Sequence, residues 1–169
     1  MSIFIPSEFQ TTGGAKSLAD SLINLIIKIT KSFPENFALA NNPQEVKNNF
    51  LKGLISLPMG IENGAAIENN IDNIEYFFNR GIRYITLTHG KDNQICDSSY
   101  DSTRTWNGLS PFGEKVIKKM NSTGIMIDIS HVTDEAFFQV IEISETPLIA
   151  SHSSPRKFTP GFERNMSDK

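Results

Sequence analysis

The residues best suited to chemistry are three histidines and one glutamate. His89, His131 and His152 are the only histidines of the chain, and each lies at the downstream end of a short apolar run. Glu62 follows a fourth apolar run, in a glycine-flanked turn. Two imidazoles and one carboxylate are a ligand set of catalytic zinc, which keeps a fourth position open for water. The set therefore resembles half of a metal site.

A zinc ion held by Glu62, His131 and His152 would suit amide hydrolysis. Such an ion lowers the pKa of bound water to about 7 and polarises a carbonyl oxygen. His89, at the end of an adjacent strand, would then donate to a developing oxyanion. Each residue also has a structural interpretation, as a solvated turn acid, a helix cap or a loop imidazole. Taken together, Glu62, His131 and His152 favour the metal site.

Other chemistries have weaker support. Cys96 lies in a polar loop with no helix start beside it, which disfavours a cysteine nucleophile. The serines near His152 lack the Gly-x-Ser-x-Gly turn of serine hydrolases. Asp128 is either a partner that orients an imidazole or a hydrogen-bonded core acid. Arg164 is either a clamp for a substrate carboxylate or a surface charge.

Apolar runs that alternate with helical patterns must position these residues, and they predict parallel strands with right-handed crossovers. The predicted strands cover residues 2–5, 54–57, 83–88, 125–130 and 147–151. Apolar stripes at helical spacing predict the helices, of which the first buries Leu18, Leu22, Leu25 and Ile29. Ser110 and Thr133 are predicted N-caps of two later helices. The carboxyl ends of the strands would then gather the polar residues at one edge.

The polar residues end several consecutive strands, which favours a ring whose loops meet at one centre over an open sheet. No Gly-x-Gly-x-x-Gly or phosphate loop follows any of the strands. A complete eight-stranded barrel needs roughly 250 residues. The sequence therefore predicts an α/β fold: a partial (β/α)8 TIM-type barrel of about five parallel strands, with the first strand and the last strands missing.

Composition limits the remaining interpretations. A chain of 169 residues with 38% apolar content is expected to form a single domain over residues 1–169. The net charge of −3 and the lack of a basic cluster exclude a nucleic acid partner. No transmembrane segment and no signal peptide are predicted. We expect a cytoplasmic location, with which the single cysteine is compatible.

Five motifs, in this order and spacing, resemble the membrane (renal) dipeptidase family of zinc peptidases. They are Gly60–Gly64, Arg83–His89, Asn107–Gly113, Asp128–His131 and Ser151–Ser154. The resemblance covers residues 53–168, and residues 2–6 are similar to the second strand of the family. Each motif alone is weak, but five in register are highly specific.

The resemblance implies an eight-stranded barrel with two zinc ions that hydrolyses dipeptides. By position, Glu62 matches the bridging carboxylate, and His131 and His152 match the two imidazoles of one zinc. His89 matches the histidine that contacts the substrate and stabilises the tetrahedral intermediate. Arg164 matches the arginine that binds the substrate carboxylate, although the loop before it is one residue longer here.

Three metal ligands of the family pattern have no counterpart in this sequence. The His-x-Asp pair of the first strand is absent, because no histidine precedes His89. The late aspartate of the family would lie beyond Lys169, after what resembles a helix cap at Ser167 and Asp168. One zinc would thus have its three protein ligands, and the other only Glu62. We interpret the chain as the central portion of a dipeptidase.

An open arc of parallel strands would leave backbone groups and apolar side chains exposed at its edges. We therefore expect self-association, or completion of the barrel by another chain. The first hypothesis is a zinc dipeptidase whose activity is impaired in this chain. The second is a noncatalytic metal-binding or scaffold polypeptide that completes its barrel with a partner.

Overall fold

The computed structural model describes residues 1–167, so Asp168 of the predicted helix cap lies outside the described residues. Within this range the strands are β1 (Ser2–Phe4), β2 (Phe37–Leu39), β3 (Ile55–Leu57), β4 (Met59–Glu62), β5 (Ile82–Thr86) and β6 (Met126–Asp128). The α-helices are α1 (Phe9–Thr12), α2 (Ala15–Ser32), α3 (Pro43–Leu51), α4 (Asp72–Asn79), α5 (Pro111–Thr123) and α6 (Asp134–Ile143). Short 3₁₀ turns cover Gly64–Ile67 and Arg156–Phe158.

The main sheet has four parallel strands in the order β1-β4-β5-β6. Ile149 extends it through an isolated parallel bridge to Asp128, so the predicted fifth strand is reduced to a single bridge. Parallel strands point their carboxyl ends to one edge of the sheet, where active sites of such folds are found. This edge carries Glu62 and the three histidines.

The strand that carries Glu62 differs from the prediction. The apolar run at residues 54–57 was expected to lead into the glutamate turn, but β3 pairs with β2 in a separate two-stranded parallel sheet. The strand of the main sheet is β4, which contains Gly60. A side chain at Gly60 would collide with the Tyr84 ring, since a Cβ there would lie 2.0 Å from it. The main sheet therefore needs glycine in a strand that sequence propensity disfavours.

The helices cover one face of the main sheet. Alternate strand residues on this face are fully buried, and they include Ile3, Ile61, Ile85 and Ile127. The predicted stripe of α2 was partly wrong, because Ala19, Ile23 and Ile26 are buried whereas Leu25 is 52% exposed. Leu18 and Leu22 pack only partly against the core. No helix among the described residues is long and apolar enough to cross a membrane.

The two predicted helix caps are confirmed. The Ser110 hydroxyl accepts a hydrogen bond from the Gly113 amide at the start of α5, and α5 ends at Gly124, whose φ is +86°. The Thr133 hydroxyl caps α6. Among the apolar residues of α6, Val140 is buried, but Phe138 is 44% exposed.

Removing the cap of α6 is expected to destabilise the fold. Thr133 is fully buried, and its hydroxyl accepts from the Ala136 amide at 3.2 Å. Thr133→Ala should lower the free energy of unfolding by about 1 kcal/mol relative to Thr133→Ser. Both variants lack the γ-methyl group of threonine, but only Thr133→Ser keeps the hydroxyl. Urea denaturation of the two variants measures this difference. Equal stability of the pair would show that the cap contributes nothing.

Candidate metal centre

Glu62 ends β4 with its two carboxylate oxygens in different surroundings. Oε2 accepts a hydrogen bond from the Ser2 hydroxyl at 2.8 Å, across the β1–β4 pair. Oε1 faces the histidines. Asn63 follows in a left-handed conformation with φ of +84°, and its side chain donates to the Ile5 carbonyl. The contact from Ser2, which no sequence motif indicates, leaves Oε1 as the oxygen available to a metal.

His131 lies in the short connection between β6 and α6. Its φ of +75° is unusual for a residue with a side chain, and it turns the imidazole toward Glu62. The His131 side chain is only 6% exposed, and its Nε2 is 3.6 Å from Glu62 Oε1. Arg164 Nη2 donates to His131 Nε2 at 3.1 Å, and because a guanidinium only donates, this nitrogen is an acceptor. A lone pair on Nε2 is what metal binding requires.

His152 follows the Ile149 bridge. The loop is held to the end of β6, since the His152 amide donates to the Ser130 hydroxyl and the Ser151 amide donates to Asp128. His152 Nε2 lies 3.2 Å from Glu62 Oε1 and 2.8 Å from His131 Nε2. Its side chain is 41% exposed, so one side of the cluster is open to solvent.

The spacing of these atoms fits one divalent ion. Ligands of a tetrahedral zinc, about 2.0–2.1 Å from the metal, lie about 3.3 Å from one another. The three separations among Glu62 Oε1, His131 Nε2 and His152 Nε2 run from 2.8 to 3.6 Å. The carboxylate and two imidazoles, with one side open, are the donor set of a catalytic zinc site.

His89 gives the cluster a fourth group. Its Nε2 is 3.6 Å from Glu62 Oε1, and its ring centroid is 4.3 Å from that of His131. Ligand atoms of Glu62, His89 and His131 all lie within 4.8 Å of one another. His89 and His152 therefore compete geometrically for the place of third ligand. The shorter distances favour His152.

The electrostatics of the cluster favour an ionised carboxylate beside neutral imidazoles. Contact with His131 lowers the pKa of Glu62 to about 2 and outweighs burial, which raises it. Burial lowers the pKa of His131, even though the Glu62 carboxylate acts in the opposite direction. Burial, followed by the charge of His131, lowers the pKa of His89 as well. Anionic oxygen and unprotonated nitrogen are the forms that bind a metal ion.

Arg164 is not a surface charge. It is 8% exposed, and besides its bond to His131 it donates to the His152 carbonyl at 3.0 Å and to the Ser153 hydroxyl at 2.6 Å. The guanidinium therefore borders the histidine pair. Its assignment as the group that binds a substrate carboxylate stays a prediction.

Asp128 anchors the two loops that carry the histidine pair. Its fully buried carboxylate accepts from the hydroxyls of Thr86 and Ser151, both at 2.6 Å, and from the amides of Ser130 and Ser151. Burial raises the pKa of Asp128, but the hydrogen bonds from Ser151 and Thr86 lower it by more. The net change in this pKa is downward. The sequence left open whether Asp128 orients an imidazole or serves the core, and the structure shows contacts with the loops of both histidines.

Asp128 should stabilise the fold in a pH-dependent way. Because its pKa is lower in the folded state, its contribution is present above its unfolded pKa of about 3.9 and is lost as the pH falls through the folded value. Asp128→Asn should cost about 1.5–3 kcal/mol at pH 7, and the cost should shrink toward pH 2. Urea denaturation between about pH 2 and 7 measures both. A cost that does not change with pH would contradict the ionised hydrogen-bonded carboxylate.

Comparison with known proteins gives consistent similarities. A family model described as membrane dipeptidase (peptidase family M19) matches residues 1–169. An uncharacterized dipeptidase of Schizosaccharomyces pombe is 35% identical over 159 residues, which cover 93% of this chain and 39% of that protein. Dipeptidase 3 of Mus musculus is 32% identical over 159 residues, which cover 92% of this chain and 31% of that protein.

A solved structure shows the same fold. The crystal structure of the probable dipeptidase PvdM from Pseudomonas aeruginosa matches with a TM-score of 0.90 and 26% identity, over 99% of this chain and 45% of that one. The chain thus spans less than half the length of each of these three proteins. The predicted fold class, a partial barrel of the TIM type, is confirmed.

Proposed function

The chain belongs to the membrane dipeptidase family, and on this premise we propose that it is part of a zinc-dependent dipeptidase. The proposal is carried by one observation: Glu62 Oε1, His131 Nε2 and His152 Nε2 converge within 3.6 Å at the carboxyl edge of a parallel sheet. The dipeptidase names of the matched relatives support the substrate class. We propose one zinc ion at this cluster.

The residues around the cluster have distinct roles in this proposal. A zinc ion, when bound, would supply a Lewis acid and acidify a water molecule. Glu62, His131 and His152 would hold this ion through one oxygen and two nitrogens. His89, half-buried on the Glu62 side, donates an N–H to the oxygen on which negative charge develops. Arg164, whose guanidinium borders the histidine pair, binds the carboxylate of the dipeptide.

Metal content and turnover test this function together. The purified chain is loaded with zinc, the bound zinc is counted after gel filtration, and the release of amino acids from a panel of dipeptides is followed. We expect one tightly bound zinc per chain and slow hydrolysis that stops with a chelator and in Glu62→Gln. Hydrolysis that is indifferent to the chelator and to Glu62→Gln would contradict the proposal.

A second candidate function is a noncatalytic metal-binding polypeptide that completes its barrel with another chain. The observation in its favour is exposed apolar surface on the face of the sheet that bears Glu62. Phe4, which pairs with Glu62, is 41% exposed, and Met126, two residues before Asp128, is 45% exposed. A single tightly bound zinc without dipeptide hydrolysis, in a chain that light scattering shows to be a dimer or larger, would favour this alternative. A hydrolytically active monomer would exclude it.

A further inference from the structure

The hydrogen bonds around Asp128 restrict where protons lie in the metal centre. An ionised carboxylate has no proton to donate, so each of its four partners must be the donor. The lowered pKa of Asp128 supports this ionised form. The Ser151 hydroxyl, 2.6 Å from Asp128 Oδ2, therefore gives its proton to the carboxylate.

The Ser151 oxygen also contacts an imidazole. Its Oγ lies 2.7 Å from His152 Nδ1. A serine hydroxyl has one proton, which Asp128 already receives, so toward His152 the oxygen can only accept. His152 Nδ1 must then carry the ring proton. A neutral imidazole has one N–H, and so His152 Nε2 holds a lone pair.

The Nε2 atom of His131, which faces His152 Nε2, is also without a proton. His131 Nε2 accepts from Arg164, and it lies 2.8 Å from His152 Nε2. Two unprotonated nitrogens at this distance have no proton between them for a hydrogen bond, and a cation bound by both would remove their repulsion. Both lone pairs therefore point to a shared positive ion rather than to a hydrogen bond between the two rings.

We propose that Asp128 and Ser151 form a relay that fixes the tautomer of His152, so that Nε2 presents its lone pair to the metal. The inference rests on the proposed function, because it assigns Ser151 as a positioning residue of that metal centre. Ser151 contacts His152 Nδ1 and acts through that imidazole. Hydrogen bonds to the second nitrogen of a ligating imidazole fix its orientation and strengthen its binding.

The tautomer can be read without metal or substrate. Ring ¹³C and ¹⁵N chemical shifts of the metal-free chain are recorded at about pH 8.5, where histidines are neutral. The chain has only three histidines, and the His152 signals are assigned by their loss in His152→Gln. We expect the Nδ1–H form in the wild type and in Ser151→Thr, which keeps the hydroxyl, and a shift toward the Nε2–H form in Ser151→Ala.

Zinc affinity gives a second readout in the same variants. Competition with a chelating dye should show about 10–100-fold weaker zinc binding in Ser151→Ala and near wild-type affinity in Ser151→Thr. Ser154→Ala, which removes an exposed hydroxyl from the same loop, is the matched control and should leave both readouts unchanged. An Nε2–H tautomer in the wild type, or the same tautomer in wild type and Ser151→Ala, would overturn the relay. A wild-type chain that shows the relay but hydrolyses no dipeptide would overturn the proposed function alone.

Discussion

Replacement of His131 by asparagine is expected to weaken zinc binding by more than about 100-fold. Loss of a residue that merely orients a ligand costs about 10–100-fold in metal affinity, so loss of the ligand itself should cost more. Asparagine is chosen because His131 has a φ of +75°, which asparagine tolerates better than alanine. The variant keeps the backbone of the loop but lacks the imidazole that reaches Glu62.

The affinity is measured by competition with a chelating dye, and the fold is checked by denaturation. His152→Ala, at an exposed position, should show a similar loss. Unchanged zinc affinity in both variants would mean that the two histidines have structural roles only, and the metal centre would be wrong.

Replacement of His89 by alanine is expected to reduce kcat for dipeptide hydrolysis by about 10²–10³-fold while zinc stays bound. An N–H donor to a developing oxyanion acts in the transition state and contributes this much to the rate. Burial lowers the pKa of His89, which favours the neutral imidazole as the N–H donor. Turnover by the zinc-loaded chain and its zinc content are measured on the same sample.

The zinc content decides between two roles of this residue. His89 has the geometry of an alternative metal ligand. Its ligand atom lies within 4.8 Å of those of Glu62 and His131. Loss of zinc from His89→Ala, with zinc retained in His152→Ala, would exchange the roles of the two histidines. Full activity with zinc bound would remove His89 from the mechanism.

Features that depend on neighbouring residues were predictable from the sequence. The caps at Ser110 and Thr133 were recognised because a hydroxyl and a following proline or acid act within one helical turn. The polar residues at strand ends were also recognised, since parallel topology brings those ends to one edge. Both kinds of inference need only the local pattern and the direction of the chain.

Features that depend on packing between distant segments were not predictable in this way. The apolar run Ile55–Leu57 has better strand propensity than β4, yet β4 joins the main sheet, where Gly60 leaves room for the ring of Tyr84. In α2 both faces carry leucine and isoleucine, and hydrophobicity alone could not show that Ile23 rather than Leu25 meets the core. The strand Phe37–Leu39 was also not predicted, because it depends on pairing with the distant segment Ile55–Leu57.

The candidate metal site shows the same division. Residue types and strand ends predicted that Glu62, His131 and His152 belong together, and the resemblance gave each a role. The Ser2 contact with Glu62 spans 60 positions and the Ser151 contact with Asp128 spans 23, and both follow from strand register. No spacing rule connects such residues. A serine directly before a candidate histidine ligand was the one local signal available for Ser151.

Crystals of the chain soaked in zinc, with data collected at the zinc absorption edge, would show directly whether Glu62, His131 and His152 share one metal ion. We expect one strong anomalous peak, about 2.0–2.2 Å from Glu62 Oε1, His131 Nε2 and His152 Nε2. No peak at this cluster, or a peak bound by other residues, would contradict it.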